Sequence, residues 1–260
     1  MIKTCIVKGH SIRLCVDSPI EDFRANTFGT KEPETLEWIE RLFRPGDTMY
    51  DVGANIGQYS LYAARVLNGN CSIYAFEPEA LNYAQLSKNI YLNGLSNCIL
   101  PCNVAIADRL CFDRLNIHPQ QFSFTEGKGA QLLSGAALHS FGTTQDCCGH
   151  EFQPVHCQGT VGVDLDFLWK QWGFKFPNHL KVDVDGLEEK VFQGALSTLF
   201  DPRLRSVLVE VSKKKGDSDP IANLLLRLGF VRITDFTDHS SRQLAGSPYE
   251  DSLNTVFVRR

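Results

Sequence analysis

Apolar and polar positions along this chain repeat in two periods, near two and near three and a half, and the switches between them mark out strands and helices. Two short strand signals, Cys5-Ile6-Val7 and Ile12-Arg13-Leu14-Cys15-Val16, flank Gly9-His10 and predict a hairpin capping the fold. A helix over about 34–43 follows, with Leu36, Ile39, Leu42 and Phe43 on one face, and Pro45-Gly46 ends it. Its expected job is to cover the entrance of the fold. Residues 48–52 and 72–76 read as strands. The helix between them, about 57–67, carries Tyr59, Tyr62, Ala63 and Val66 at helical spacing. A helix over about 79–92 stops at Asn93-Gly94, and strand signals recur at 98–100, 103–106 and 111–117, extending the sheet. Further on, 180–184 and 206–211 read as strands and 187–199 as helical. Asp219-Pro220 opens a helix ending at Gly229, and 230–236 with 253–258 would form a closing hairpin. Alternating strands and helices predict an α/β fold with a doubly wound sheet.

Between 118 and 159 the periodicity fails. The segment is rich in Gly, Ser, Gln and aromatic residues, and a loop of that length in a compact domain predicts a substrate lid or wall. His118, His139, His150 and His156 fall within it and read as solvated loop residues.

The chain has 260 residues, 43% of them apolar, which suits one α/β domain (47–260) with a small N-terminal hairpin-and-helix cap (1–46). A formal net charge of −4 supplies no basic field for nucleic acid, and Lys213-Lys214-Lys215 is too short to act as a basic tail. No run approaches the roughly 18 apolar residues of a membrane span, and the first residues lack the pattern of a signal peptide, so a cytoplasmic location is expected. Nine cysteines without disulfide-style spacing read as reduced thiols. Cys147-Cys148-Gly149-His150 with His156-Cys157 offers soft ligands but no paired zinc spacing, so no metal is expected.

The chemistry concentrates at Asp51-Val52-Gly53-Ala54-Asn55-Ile56-Gly57, followed after the next strand by Phe76-Glu77-Pro78. A strand that breaks into a glycine loop, opens a helix and is followed by an acidic strand end is the layout that holds an adenine nucleoside. A dinucleotide pyrophosphate would require a second glycine where Asn55 stands. Asp51 at the mouth of the loop would repel phosphate and attract a cation, such as the ammonium and sulfonium of S-adenosylmethionine. Glu77 is placed to accept ribose hydroxyls, Gly53, Asn55 and Gly57 to shape the loop, and Tyr59 and Ser60 to flank the cofactor's amino acid portion. Asn55 also tolerates positive φ and suits the turn on that ground alone. A second segment, Lys181-Val182-Asp183-Val184-Asp185-Gly186-Leu187-Glu188, sends two carboxylates to the crevice outside the strand ends. Asp185 also reads as a turn residue before Gly186, whereas Asp183 lies within an apolar run and is the stronger functional candidate.

Together with Pro45-Gly46-Asp47 and Leu165-Asp166, these strings resemble the FkbM family of S-adenosylmethionine-dependent methyltransferases, from about residue 34 to the C-terminus. The resemblance implies a class I, Rossmann-like methyltransferase fold: seven strands, helices on both faces and an antiparallel last strand. It implies that Pro78, Asn103, Val104 and Ala105 line the cofactor beside Glu77, and that the acceptor is a small molecule or glycan bearing a hydroxyl. The family usually carries Glu where this chain has Asp185, a position assigned to the acceptor. An alcohol needs a base close by, and Asp183 is the first candidate and Glu210 the second. Two other classes stay open at this point: a nicotinamide-dependent oxidoreductase, which should show the missing second glycine, and a methyltransferase-like binding module without catalysis.

Overall fold

The computed structural model describes residues 1–119, 122–125, 129–146, 149–212, 219–234 and 252–260. Strands β1 (Ile2–Val7) and β2 (His10–Cys15) pair antiparallel across the Lys8-Gly9 turn, where both residues have positive φ. Helix α1 (Pro19–Thr27) follows and begins with a capping box: Ser18 Oγ accepts from the Glu21 amide at 3.1 Å while Glu21 Oε2 accepts from the Ser18 amide at 3.0 Å. Helix α2 (Pro33–Leu42) leads into β3 (Thr48–Val52), α3 (Gln58–Val66), β4 (Ser72–Phe76), α4 (Ala80–Leu92) and β5 (Ile99–Cys102).

Here the chain leaves the main sheet. Strands β6 (Ala105–Ile106), β7 (Cys111–Ile117), β10 (Ser140–Phe141) and β11 (His156–Val163) form a second sheet in the order β10-β7-β11-β6, and β8 (Phe122–Thr125) pairs with β9 (Gly129–Leu132). The expectation that 103–106 and 111–117 extend the main sheet is therefore corrected. Asn103 turns away to donate to the carbonyls of Glu77 and Pro78, and Ala105-Ile106 pair with Gly162-Val163 instead. The segment expected to be one long loop contains three strands and the start of a fourth.

Helix α5 (Leu165–Lys170), β12 (His179–Val182), the short helices α6 (Glu188–Gln193) and α7 (Leu196–Phe200), β13 (Ser206–Ser212), α8 (Pro220–Arg227), β14 (Phe230–Ile233) and β15 (Ser252–Arg259) complete the chain. The helical pattern over 187–199 is broken at Gly194, where an added Cβ would lie 2.5 Å from the Ala107 carbonyl oxygen. The seven-stranded sheet runs β14-β15-β13-β12-β3-β4-β5. Strands β12, β3, β4, β5 and β13 are parallel, and β15 inserts antiparallel between β13 and β14. The order reverses at β3/β12, and doubly wound sheets bind ligands outside the strand ends at such a switch point.

Period-two alternation sorts the side chains into two cores. Met49, Ile73, Ala75 and Leu208 face one way and pack with Trp38, Leu61, Leu86 and the hairpin's Ile12 and Leu14. Tyr50, Val52, Leu180, Val182, Val207 and Val209 face the other way, against Val191, Phe192, Leu199 and Leu225. Helix α2, expected to cover the entrance, instead buries Leu36, Trp38 and Ile39 in the first of these cores. At the sheet edge where the parallel strands begin, His179 Nε2 donates to Asp47 Oδ2 at 2.9 Å, and Ser206 Oγ bridges His179 Nδ1 (2.7 Å) and Trp38 Nε1 (2.8 Å). Arg205 pairs with Asp47 from outside. This Ser–His–Asp row resembles a hydrolytic triad, but Ser206 is 1% exposed, so it braces strands rather than attacking a substrate. Burial works against the Asp47 charge, yet the bonds from His179 and Arg205 outweigh it and hold the carboxyl down at about 2. Among the described residues no helix is long and apolar enough to cross a membrane.

Candidate functional site

The loop after β3 is set by backbone geometry. Gly53, Asn55 and Gly57 all have positive φ (80°, 50° and 89°), and the amides of Gly53 and Ala54 both donate to the Phe76 carbonyl at 3.0 Å. A Cβ on Gly53 would sit 1.8 Å from the Asp183 carbonyl oxygen, so only glycine lets β3 and β12 meet there. The same turn brings the Asn55 amide to Glu77 Oε2 at 2.8 Å, and the Glu79 amide reaches Glu77 Oε1 at 2.9 Å. Glu77 is thereby fixed at the tip of β4 with its remaining lone pairs available. Burial pushes its carboxyl up to about 7, against the pull of those two amides.

A cleft opens at these strand ends. Gly53, Asn55, Glu77 and Pro78 form one side, Val104, Ala105 and Ile106 an apolar side, and Asp183, Val184 and Asp185 the side toward β12. Its roof is the strap 134–139, which contributes Ala136, Ala137 and His139. Side chains far away in sequence tie the strap down by its backbone. The Ala136 carbonyl accepts from Asn55 Nδ2 (2.8 Å) and Asn82 Nδ2 (3.0 Å), the Gly135 amide donates to Asn82 Oδ1 (2.6 Å), and the Leu138 amide donates to Asp185 Oδ2 (2.8 Å). Arg24 Nε donates to the Gly135 carbonyl from α1.

Of the residues singled out in the sequence, the structure gathers Gly53, Asn55, Glu77, Pro78, Val104, Ala105, Asp183 and Asp185 around this cleft. Asp51, Gly57, Tyr59, Ser60, Asn103 and Glu210 lie outside its lining. Asp51 is buried behind it: Ser60 Oγ donates to Asp51 Oδ2 at 2.6 Å, and Lys181 Nζ stands 3.8 Å from Oδ1, an atom without a hydrogen-bond partner. Lys181 also donates to Asp183 Oδ2 at 3.0 Å and lies 5.4 Å from the centre of the Tyr59 ring. Gly57 faces Leu86, Asn103 supports the Glu77-Pro78 turn, and Glu210 pairs in register with Asn254. Cys147, Cys148 and Lys213 to Lys215 lie outside the described residues. Among the described residues no group of three or more His, Cys, Asp or Glu side chains is placed to hold a metal ion.

Each charge here has a visible cause. Burial pushes Asp51 up despite Lys181 and Ser60. Burial opposes the Asp183 charge too, but Lys181 outweighs it and holds that carboxyl below the usual range. Asp185 is pushed up to about 6 by burial and by Asp183. Strand β12 ends at Val182 and Asp185 has φ +54°, so alternation does not reach it; it projects from a turn whose amides at Val184 and Gly186 donate to Glu188. Sequence reasoning singled out neither Lys181, Asn82 nor His139 as a site residue. A lysine between Leu180 and Val182, 1% exposed in the structure, is a signal that could have been used. His139, expected to be solvated, instead lines the cleft.

A nucleoside with a cationic tail fits this donor set. Glu77 faces the cleft beside an apolar slot, and Asp183 and Asp185 border the remaining wall.

The chain matches one protein family and is similar to several methyltransferases. The methyltransferase FkbM domain family matches residues 51–232. The 31-O-demethyl-FK506 methyltransferase FkbM of Streptomyces tacrolimicus is 27% identical over 206 residues, covering 74% of this chain and 75% of that protein. Methyltransferase 1 of Beauveria bassiana is 30% identical over 197 residues, covering 72% and 74%. Among solved structures, M. jannaschii TYW2 in complex with AdoMet aligns with 100% of this chain and 87% of its own, at 13% identity and a TM-score of 0.43.

Proposed function

The chain belongs to the FkbM methyltransferase family, whose methyl donor is S-adenosylmethionine, and from that premise we propose that it methylates a hydroxyl oxygen on a small-molecule or glycan acceptor. The observation that carries this reading is the pairing, in one cleft, of Glu77 at the tip of β4 with Asp183 at the end of β12. Bound there, the cofactor supplies an electrophilic methyl group. Glu77 accepts from the ribose hydroxyls, while Val104 and Ala105 cover the base. Asp51, buried behind the loop, shares the single Lys181 cation with Asp183, so the pair of carboxylates lends negative potential there.

Asp183 accepts the hydrogen bond of the acceptor's hydroxyl and so aims its lone pair at the methyl carbon, the positioning on which an in-line displacement depends. Its carboxyl is held below the usual range by Lys181, which suits the step. An alcohol oxygen that is gaining a bond to carbon becomes strongly acidic, so a weakly basic carboxylate takes the proton late, without needing to ionise the free alcohol. Glu210, within the neighbouring β13 and outside the cleft's lining, is the second candidate base. The name of the Streptomyces relative, 31-O-demethyl-FK506 methyltransferase, supports an oxygen acceptor.

The test is incubation with methyl-labelled S-adenosylmethionine and small-molecule or glycan extracts, read by mass spectrometry for a gain of one methylene. Asp183→Asn should lower turnover by about 10²–10⁴-fold while S-adenosylhomocysteine affinity changes less than about threefold. Undiminished turnover would remove Asp183 from the chemistry.

A further inference from the structure

We propose that His139 recognises the methyl donor's adenine, its Nε2–H donating to a ring nitrogen of the base. The inference rests on the methyltransferase reading and deepens it. His139 Nδ1 lies 3.3 Å from the His118 amide. An amide N–H can only donate, so Nδ1 is the bare nitrogen, and the single proton of a neutral imidazole sits on Nε2. Burial, with His118 and Arg24 adding to it, pushes this ring down to about 4, so it is neutral under ordinary conditions. Nε2 is shut off from solvent and meets no acceptor among the described residues. Buried donors are nearly always paired, so a lone one beside a ligand cleft marks where a ligand atom belongs.

Position identifies that atom. His139 lines the cleft immediately before the two-residue strand β10, whose Phe141 packs with Ala105 and Leu115. The imidazole and the apolar slot of Val104, Ala105 and Ile106 thus border the same cleft. An apolar slot with one in-plane donor suits a flat heteroaromatic base with unprotonated ring nitrogens. The donor is also held in place beforehand, because Leu138 is tied to Asp185 and Gly135 to Asn82.

Calorimetry of S-adenosylhomocysteine binding to the full chain tests this with His139→Phe and His139→Gln. It is repeated with analogues in which one adenine ring nitrogen is replaced by carbon. Phe should weaken binding about tenfold, and Gln, which presents an N–H at similar reach, should recover most of the loss. One carbon-substituted analogue should bind the wild type about tenfold more weakly and be indifferent to the Phe substitution. Equal affinity of wild type and His139→Phe, or a Phe penalty identical for every analogue, would overturn the proposal. Should the Phe variant not fold, the Nε2–H resonance of ¹⁵N-histidine-labelled wild type decides. It should move downfield with S-adenosylhomocysteine, and an unmoved signal overturns the proposal. Wild type that fails to bind S-adenosylhomocysteine at all would instead sink the methyltransferase reading, whereas wild type that binds while the variants match it would sink only the role of His139.

Discussion

Replacing Lys181 by Met should be among the most damaging single changes behind the cleft. Lys181 is 1% exposed, with Asp183 Oδ2 at 3.0 Å and Asp51 Oδ1 at 3.8 Å. At an effective dielectric of about 20, those separations correspond to roughly 5 and 4 kcal/mol of gross attraction. The variant regains the cost of desolvating the ammonium, several kcal/mol on its own, but leaves two carboxylates facing each other without a cation. The net expectation is a loss of about 3–5 kcal/mol near neutral pH, the range found when one partner of a buried pair is removed. The sign of the pH dependence follows from the directions of the shifts. Lys181 is raised, so its contribution is complete below the ordinary lysine range and persists across neutral pH. Asp183 is lowered, so its contribution is present above the ordinary carboxylate range and fades only as pH falls through its folded value. Without Lys181 both Asp51 and Asp183 rise, take up protons on mild acidification, and the gap to wild type narrows. Urea unfolding near pH 8 and near pH 5, followed by circular dichroism, reads both effects. A variant within about 1 kcal/mol of wild type near pH 8, or a gap that is unchanged near pH 5, would refute the reasoning.

Three further outcomes are expected. Gly53→Ala places a methyl 1.8 Å from the Asp183 carbonyl at φ +80°, and should cost at least about 3 kcal/mol and abolish S-adenosylhomocysteine binding; thermal unfolding close to that of wild type would contradict the tight β3–β12 approach. Asp47→Asn removes the partner of Arg205 and weakens the bond from His179, so about 2–4 kcal/mol of stability should be lost with ligand affinity unchanged, and calorimetry showing weakened affinity would break the separation between brace and cleft. Glu188 is raised to about 7 by burial, so the folded state keeps a proton that the unfolded chain releases above about 4.5. Its stabilisation is complete below that lower value and is lost as pH rises through the upper one, so Glu188→Gln should flatten the stability curve over this window; an unchanged slope would argue against it.

How much of this was legible in the sequence depends on where each element finds its partners. Residues 48–52 and 72–76 stand as expected because their alternate side chains enter two apolar cores, which leaves a local pattern. Helix α1 was missed, although Ser18 and Glu21 spell its capping box, because Ala25 is its one buried apolar residue and its apolar periodicity is weak. Strands β8, β9 and β10 inside 118–159 are short and carry little local signal, whereas β7 was legible as an alternating stretch but its partner β11 lies some forty residues later, so the sheet it joins was not. The strap is harder still. Its anchors are backbone groups of Gly135, Ala136 and Leu138, met by side chains from α4, the β3 loop and the β12 turn, and a backbone amide reads the same in every residue. Lys181 was legible in kind, as a charge inside an apolar run, but its partner Asp51 became apparent only from the β3–β12 register.

The charge balance of the cleft argues for a cationic ligand independently of the glycine count. Glu77 and Asp185 line it and are raised to about 7 and about 6, and both shifts begin with burial in a site where carboxylates crowd one another. Lys181 is committed to Asp183 and Asp51, while Arg24 and Lys31 act on Asp185 only more weakly than its burial and Asp183 do. Burial is the first cause of both shifts, and the neighbouring carboxylates Glu79 and Asp183 add to it. A pyrophosphate entering there would raise them further and bind against that field. A ligand with an ammonium and a sulfonium would lower them, because its positive charge offsets the crowding of these carboxylates. The carboxylates on β3, β4 and the β12 turn and the Asn55 that stands in place of a second glycine thus both count against a phosphate-bearing ligand.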